Sequence, residues 1–251
     1  MIKRLMRNEA VLWVTDRVVH VVKIEKNWLG LTKHVLGCTY EDIRDFHWLE
    51  KPEKLKAVLE DILTVYELST YTLTIVLSGS LLLWQVLELP GRTRKEAREA
   101  ASWSDALANT ADTYTYDIYK IRKQSRETNL WLFSAYPAAS VEVMLQLLEE
   151  RGIPVERVDV LPAWISNRYG GTDGTLYLRE KNRTHVLHMQ NGYVSVYTYG
   201  AADERDLSQE EPYAMSFYPQ GEEEPTAPCW KPAYGKRVQQ WHLAGPPSVL
   251  L

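Results

Sequence analysis

The sequence is poor in cysteine, in one-sided basic charge and in unbroken apolar runs, and each shortage removes a class of protein. Cys38 and Cys229 stand alone, in no CxxC pair and at no metal-ligand spacing. Two isolated cysteines in 251 residues read as reduced, intracellular thiols and exclude a disulfide-built secreted domain. No side of the chain is basic. The net charge is −4, and the basic residues alternate with acidic ones, as in Lys51-Pro52-Glu53-Lys54 and across 94–99. General affinity for nucleic acid needs a basic face, so none is expected. The N-terminus carries Lys3, Arg4 and Arg7 but no long apolar run after them, and does not read as a secretory signal.

The longest uncharged stretch is 68–87. Its length suits a membrane span, but Ser, Thr and Gln interrupt it and Ser78-Gly79-Ser80 divides it. Two strands joined by a turn fit it better. No internal repeat with a fixed period is present. Hydrophobic residues make up 45% and charged ones 25%, a balance that supports a folded core and excludes disorder.

What is present is an α/β order of elements. Residues 11–24 are rich in β-branched side chains and read as a hairpin split at Asp16-Arg17, with 31–39 as a third strand. Pro52 opens a helix whose Leu55, Val58, Leu59, Ile62 and Tyr66 fall on one face. Strands follow at 72–77 and 81–89. Thr93 and Glu96 have capping-box spacing, and Ala97, Ala100, Ala101, Ser104 and Leu107 form a stripe of mostly small residues behind them. Strands at 114–121 and 130–135 lead to a helix over 141–151, which Ser140 caps and Gly152 with Pro154 ends. A strand at 155–160 and a short helix at 161–169 complete this half. After the glycine-rich link 170–174, strands at 175–179, 184–189 and 193–199 surround Asn191-Gly192, a strong hairpin signal. The stretch 202–235 reads as loop-rich, and 238–244 as a last strand.

This order resembles the actin-like cytoplasmic proteins of the PilM (type IV pilus assembly) and GspL (type II secretion) families. The pieces that carry the resemblance are Val86-Leu87-Glu88-Leu89-Pro90 through Trp103, then Leu130-Trp131-Leu132-Phe133-Ser134-Ala135-Tyr136-Pro137 through Gly152-Ile153-Pro154, and Val158-Asp159. They lie within a match covering about residues 10–200. The resemblance implies an α/β, actin-like (ribonuclease H-like) fold of two lobes. It divides the chain into a first lobe at 1–169, with an inserted subdomain at about 91–135, and a partial, truncated second lobe at 170–251.

Actin-like proteins hold ATP between two phosphate hairpins, each with an aspartate for the Mg²⁺ shell and glycines that let backbone N–H groups approach the phosphates. Carried onto this sequence, Trp13 stands at the first aspartate position and Thr15 at its glycine. Leu178 stands at the second aspartate position and Glu180 at its glycine, where a carboxylate would repel phosphate. A register shift of three residues would bring Asp16 to the first aspartate position and would still leave no glycine after it. The adenosine-cradling glycine pair is degenerate at Gly245 and Pro246. The resemblance thus implies a pseudo-ATPase with no cofactor and no enzymatic activity, with an ATP-binding actin-like ATPase as the alternative.

It also implies a scaffold at the inner face of the cytoplasmic membrane. The partner would be the cytoplasmic tail of a PilN-like inner-membrane protein, with an assembly ATPase as a further contact. In this group a groove between the first subdomain and the inserted one captures the tail. Trp103, Tyr114, Tyr116 and Tyr119 are the candidate lining residues, since Tyr and Trp suit half-wet interfaces. The remaining constellations are weaker. His185 and His188 would face opposite sides of a strand and share no metal. Ser78 lacks the frame of a nucleophile turn. Spacing alone brings no pair among Asp112, Asp117 and Asp159 together.

Overall fold

The computed structural model describes residues 8–15, 18–26, 32–41, 51–90, 93–102, 113–123, 128–169, 173–180, 183–201 and 214–219. Strands β1 (Glu9–Val14), β2 (Val18–Lys26) and β3 (Thr32–Glu41) form an antiparallel meander. Helix α1 (Pro52–Val65) starts on its proline and buries Leu55, Val58, Leu59 and Ile62, while Tyr66 caps its end. Strand β4 (Thr72–Leu77) then lies parallel to β1. Val11 is buried on one face of β1 and Ala10, Leu12 and Val14 on the other, as are Val76 and then Leu73 and Ile75 on β4, so both faces of these central strands are covered.

Residues 68–87 therefore contain two strands and a turn. The turn is made at Gly79, whose φ of 106° suits a residue without Cβ. The strands on either side do not pair with each other. Strand β5 (Leu83–Pro90) leaves for a second sheet, in the order β5-β7-β6 with β6 (Tyr114–Lys123) and β7 (Thr128–Pro137). Helix α2 (Arg94–Ser102) packs on this small sheet through fully buried Ala97 and Ala101. Its capping box is formed: Thr93 N–H donates to Glu96 Oε2 and Glu96 N–H to Thr93 Oγ1, both at 3.3 Å.

Helix α3 (Ala138–Glu150) begins directly after β7, three residues earlier than its sequence suggests. Ser140 is consequently buried inside the first turn and does not cap it. The helix ends in a Schellman turn: Gly152 has φ 66°, its N–H donates to Glu149 O, and Ile153 N–H donates to Leu148 O. Strand β8 (Val155–Val160) completes the first sheet, in the order β3-β2-β1-β4-β8, and runs parallel to β4. Helix α4 (Leu161–Tyr169) follows. Its Ser166 Oγ donates to Pro162 O and accepts from Val194 N–H of the third sheet.

The third sheet is antiparallel, with strands β9 (Gly174–Glu180), β10 (Arg183–Gln190), β11 (Tyr193–Ala201) and β12 (Ala214–Pro219) in the order β11-β10-β9-β12. The β10–β11 hairpin turns at Asn191-Gly192 with φ values of 54° and 81°, the left-handed pair that matches strand twist. Strand β12 lies inside the stretch 202–235, which reads as loop from its prolines and glutamates. It pairs along β9, so sheet partnership overrides that local composition. The sequence-predicted strand at 238–244 lies outside the described residues. The first and third sheets share one core: Leu176, Leu178, Leu187, Met189, Val194 and Tyr197 join the cluster built on β1, β4, α1 and α3. No described helix is long and apolar enough to cross a membrane.

Candidate functional site

Among the described residues, two places bring chemistry-bearing side chains together. The first lies between the β1–β2 hairpin and the third sheet. Register sets Trp13 opposite His20 across β1 and β2, with ring centroids 4.5 Å apart. Thr15 closes that hairpin through two hydrogen bonds, donating from N–H to Val18 O and accepting from Val18 N–H on Oγ1. From the other side, Glu180 at the end of β9 points to the same spot. It is 4% exposed, and Thr15 Oγ1 donates to its Oε2 at 3.4 Å.

Thr15 and Glu180, the two residues that the resemblance sets at hairpin glycines, therefore meet in space, 165 residues apart in the chain. His185, fully buried on β10, lies 3.0 Å through Nε2 from Glu180 Oε1. Its Nδ1 is 2.9 Å from Tyr197 Oη. The Tyr197 hydroxyl oxygen in turn accepts from Gly79 N–H at 3.2 Å. Tyr199 Oη donates to Glu180 Oε2 at 3.4 Å and stacks on the His185 ring, with centroids 4.4 Å apart. His20 Nε2 stands 3.6 Å from Glu180 Oε1.

Burial alone would raise the Glu180 pKa. The charges and hydrogen bonds of His185 and His20 outweigh it and hold the group down at about 2. Burial holds the His20 pKa below its ordinary value, against the pull of Glu180. Trp13 fills the remaining side of the cluster, donating its indole N–H to Ser78 Oγ at 2.7 Å. That bond leaves Ser78 facing a donor that cannot act as a base. Leu178, at the second aspartate position, is core. Gly245 and Pro246 lie outside the described residues. His185 points into the core while His188 is exposed, as strand alternation requires.

The second place is a groove of about 550 Å³ between the small sheet and the β8–α4 edge of the first. Asp117 and Tyr119 of β6 line one wall, and Arg157, Asp159 and Asn167 the other. Arg94 pairs with Asp117 in a bidentate contact, and Arg157 Nε lies 3.4 Å from Asp159 Oδ2. The Tyr119 hydroxyl donates to Asn167 Oδ1 across the groove. Lys120 Nζ sits 5.7 Å from the centroid of the buried Trp131 ring. Burial raises the Asp159 pKa and nearby Asp117 adds to it, against Arg157 and the Val160 N–H.

Of the four aromatic residues singled out by sequence, Tyr119 faces this groove and is 42% exposed. Tyr114 and Tyr116 turn to the opposite face of β6, against the core under α2, where Arg98 covers the Tyr116 ring. Trp103 and Asp112 lie outside the described residues. Spacing gave no hint that Asp117 and Asp159 meet, because they sit on different sheets. Arg94, Lys120, Arg157 and Asn167 carry no sequence signal of their own.

No protein-family model matches the sequence, and no curated protein matches it. Among solved structures, a chain of a structure titled "PilM-PilN type IV pilus biogenesis complex" superposes on 80% of this chain with a TM-score of 0.57 and 14% identity. The two share a fold. At that identity the likeness is one of fold alone, and this chain spans 63% of the length of that neighbour. The expected actin-like α/β architecture agrees with the mixed five-stranded sheet and the antiparallel sheet packed against it. Two lower-scoring matches are to the cytoplasmic domain of EpsL, an inner membrane component of the type II secretion system of Vibrio cholerae, and to a Bacteroides thetaiotaomicron protein of unknown function with an actin-like ATPase fold. The first has 11% identity, a TM-score of 0.48, and covers 82% of this chain and 80% of its own. The second has 9% identity, a TM-score of 0.47, and covers 81% and 73%. Scores below 0.5 add nothing to the fold assignment.

Proposed function

We propose that the chain is a non-catalytic scaffold of a type IV pilus or type II secretion assembly complex, working at the inner face of the cytoplasmic membrane. The observation that carries the non-catalytic part is the buried Glu180–His185 pair. On this reading the space where an actin-like protein would hold phosphate is filled by this chain's own side chains, and Glu180, the one acid there among the described residues, is ionised. A triphosphate entering it would meet a buried carboxylate, and no glycine backbone faces it at Thr15 or Glu180.

The binding part of the reading is supported by the groove. It combines an exposed tyrosine, two arginine–aspartate pairs and a partly stripped carboxylate, features suited to an extended peptide with polar backbone groups. Its occupant in this proposal is the cytoplasmic tail of a PilN-like inner-membrane protein. An assembly ATPase is a further contact on the same reading.

The test is a titration of the full chain with synthetic tails of inner-membrane proteins encoded beside it. One tail should bind, and Tyr119→Ala should weaken it about tenfold or more, the loss typical of a central interface tyrosine. Absence of binding by every tail, or equal binding by Tyr119→Ala, contradicts the groove as the site.

A further inference from the structure

The cleft between the first and third sheets holds a buried anion that belongs to the protein itself. Every described polar group around the Glu180 carboxylate is able to donate to it. Thr15 Oγ1 and Tyr199 Oη reach Oε2, each at 3.4 Å, His185 Nε2 reaches Oε1 at 3.0 Å, and His20 Nε2 stands 3.6 Å away. Two of these donors, Thr15 and His20, come from the β1–β2 hairpin of the first sheet. The other two, His185 and Tyr199, come from the third.

A second connection between the sheets ends on the same group. Gly79 N–H, at the turn after β4, donates to Tyr197, which meets His185, which meets Glu180. Trp84 Nε1 adds a bond of 3.4 Å to the Tyr197 carbonyl. Among the described residues the titratable groups facing the carboxylate are His20 from β2, His185 from β10 and Tyr199 from β11, with Tyr197 of β11 behind His185. The Arg183 guanidinium covers the Tyr199 ring, 5.2 Å from its centroid.

We infer that Glu180 is an internal anion that latches the two sheets together, and that its removal leaves a cavity of convergent donors able to take a small carboxylate in its place. This extends the reading of a nucleotide-free cleft: the space is occupied, and its occupant ties together the two halves that a bound ligand would bridge. Buried donors left without an acceptor are costly, and an ion pair broken by removing one partner is costlier still. Such a set should accept an outside anion of matching size.

The experiment compares the full-length chain with its Glu180→Ala and Glu180→Gln variants, in chloride and in formate at equal ionic strength. Glu180→Ala should lower the Tm by about 10 °C, in line with breaking a buried pair in a domain of this size. Formate should return most of that loss, and should leave the wild type and Glu180→Gln unmoved, since their side chains fill the space. Amide exchange at Gly79 should quicken in Glu180→Ala and slow again in formate. A wild-type Tm for Glu180→Ala, or a loss that formate does not recover, overturns the latch.

Should Glu180→Ala not fold, Tyr197→Phe decides the matter. It keeps the ring and cuts only the chain from Gly79 to His185. Gly79 exchange should rise while Val194, held by Ser166, stays protected. Unchanged exchange at Gly79 overturns the latch. These outcomes are separable from the scaffold reading, which MgATP stabilisation of the wild type would contradict whatever formate does.

Discussion

At the scale of single residues, the charge state of the buried cluster governs the pH dependence of stability. His20 has its pKa lowered by burial, so below its ordinary value of 6.5 the unfolded chain takes up a proton that the folded chain refuses. Stability therefore falls as pH drops below about 6.5. Glu180 acts in a lower window. Its folded value is about 2 against an ordinary 4.5, so its contribution is complete above 4.5 and is lost as pH falls from there towards 2. Tm measured from pH 8 down to pH 3 should decline in these two stages. In His20→Gln the upper stage should flatten while the lower one remains. A profile level from pH 7 down to pH 4.5 in the wild type would contradict the His20 assignment, and one level from there to pH 3 the Glu180 assignment. Little of this was legible in the sequence. Glu180 stood out there as a carboxylate where a glycine was expected, but nothing in the spacing showed that His20 and His185 would converge on it. Those contacts depend on the packing of two hairpins that lie far apart in the chain.

At the scale of elements, local rules were reliable wherever backbone geometry is set by a few neighbouring residues. Pro52, the Thr93–Glu96 box, Gly152 and Asn191-Gly192 each do in the structure what their residue types imply. Local reading failed where partnership decides. Ser140 has the chemistry of a cap, but the helix continues β7 without a break and starts at Ala138. The prolines near β12 suggest loop, yet 214–219 pairs with β9. The two strands around Gly79 look like a hairpin and belong to different sheets. Gly152 gives a clean test of the local kind. A Cβ there would meet nothing within 4 Å, so Gly152→Ala adds only the strain of a left-handed φ. The expected cost is about 1 kcal/mol, or a fall in Tm of about 2–4 °C. A larger loss would mean that the Schellman turn carries packing beyond its backbone.

At the scale of the whole molecule, an actin-like arrangement has two routes to holding its sheets together, a ligand between them or contacts of its own. The described residues take the second. The apolar core runs through both sheets, and the Glu180 network crosses the remaining gap. The order of elements was enough to suggest this architecture, because strand and helix periodicity survives at an identity too low for motif matching. The groove was legible only in outline, through Tyr119. Its other wall is made by Arg157, Asp159 and Asn167, which no local pattern connects to β6.

In the proposed scaffold the cleft is closed by the chain's own side chains and takes no nucleotide. Thermal unfolding of the wild type with and without millimolar MgATP tests it most directly. A ligand at about a hundred times its dissociation constant would add about 2.7 kcal/mol, which at this chain length raises the Tm by about 5–10 °C. No shift is expected at any MgATP concentration. A rise that grows with concentration and vanishes without Mg²⁺ would contradict it.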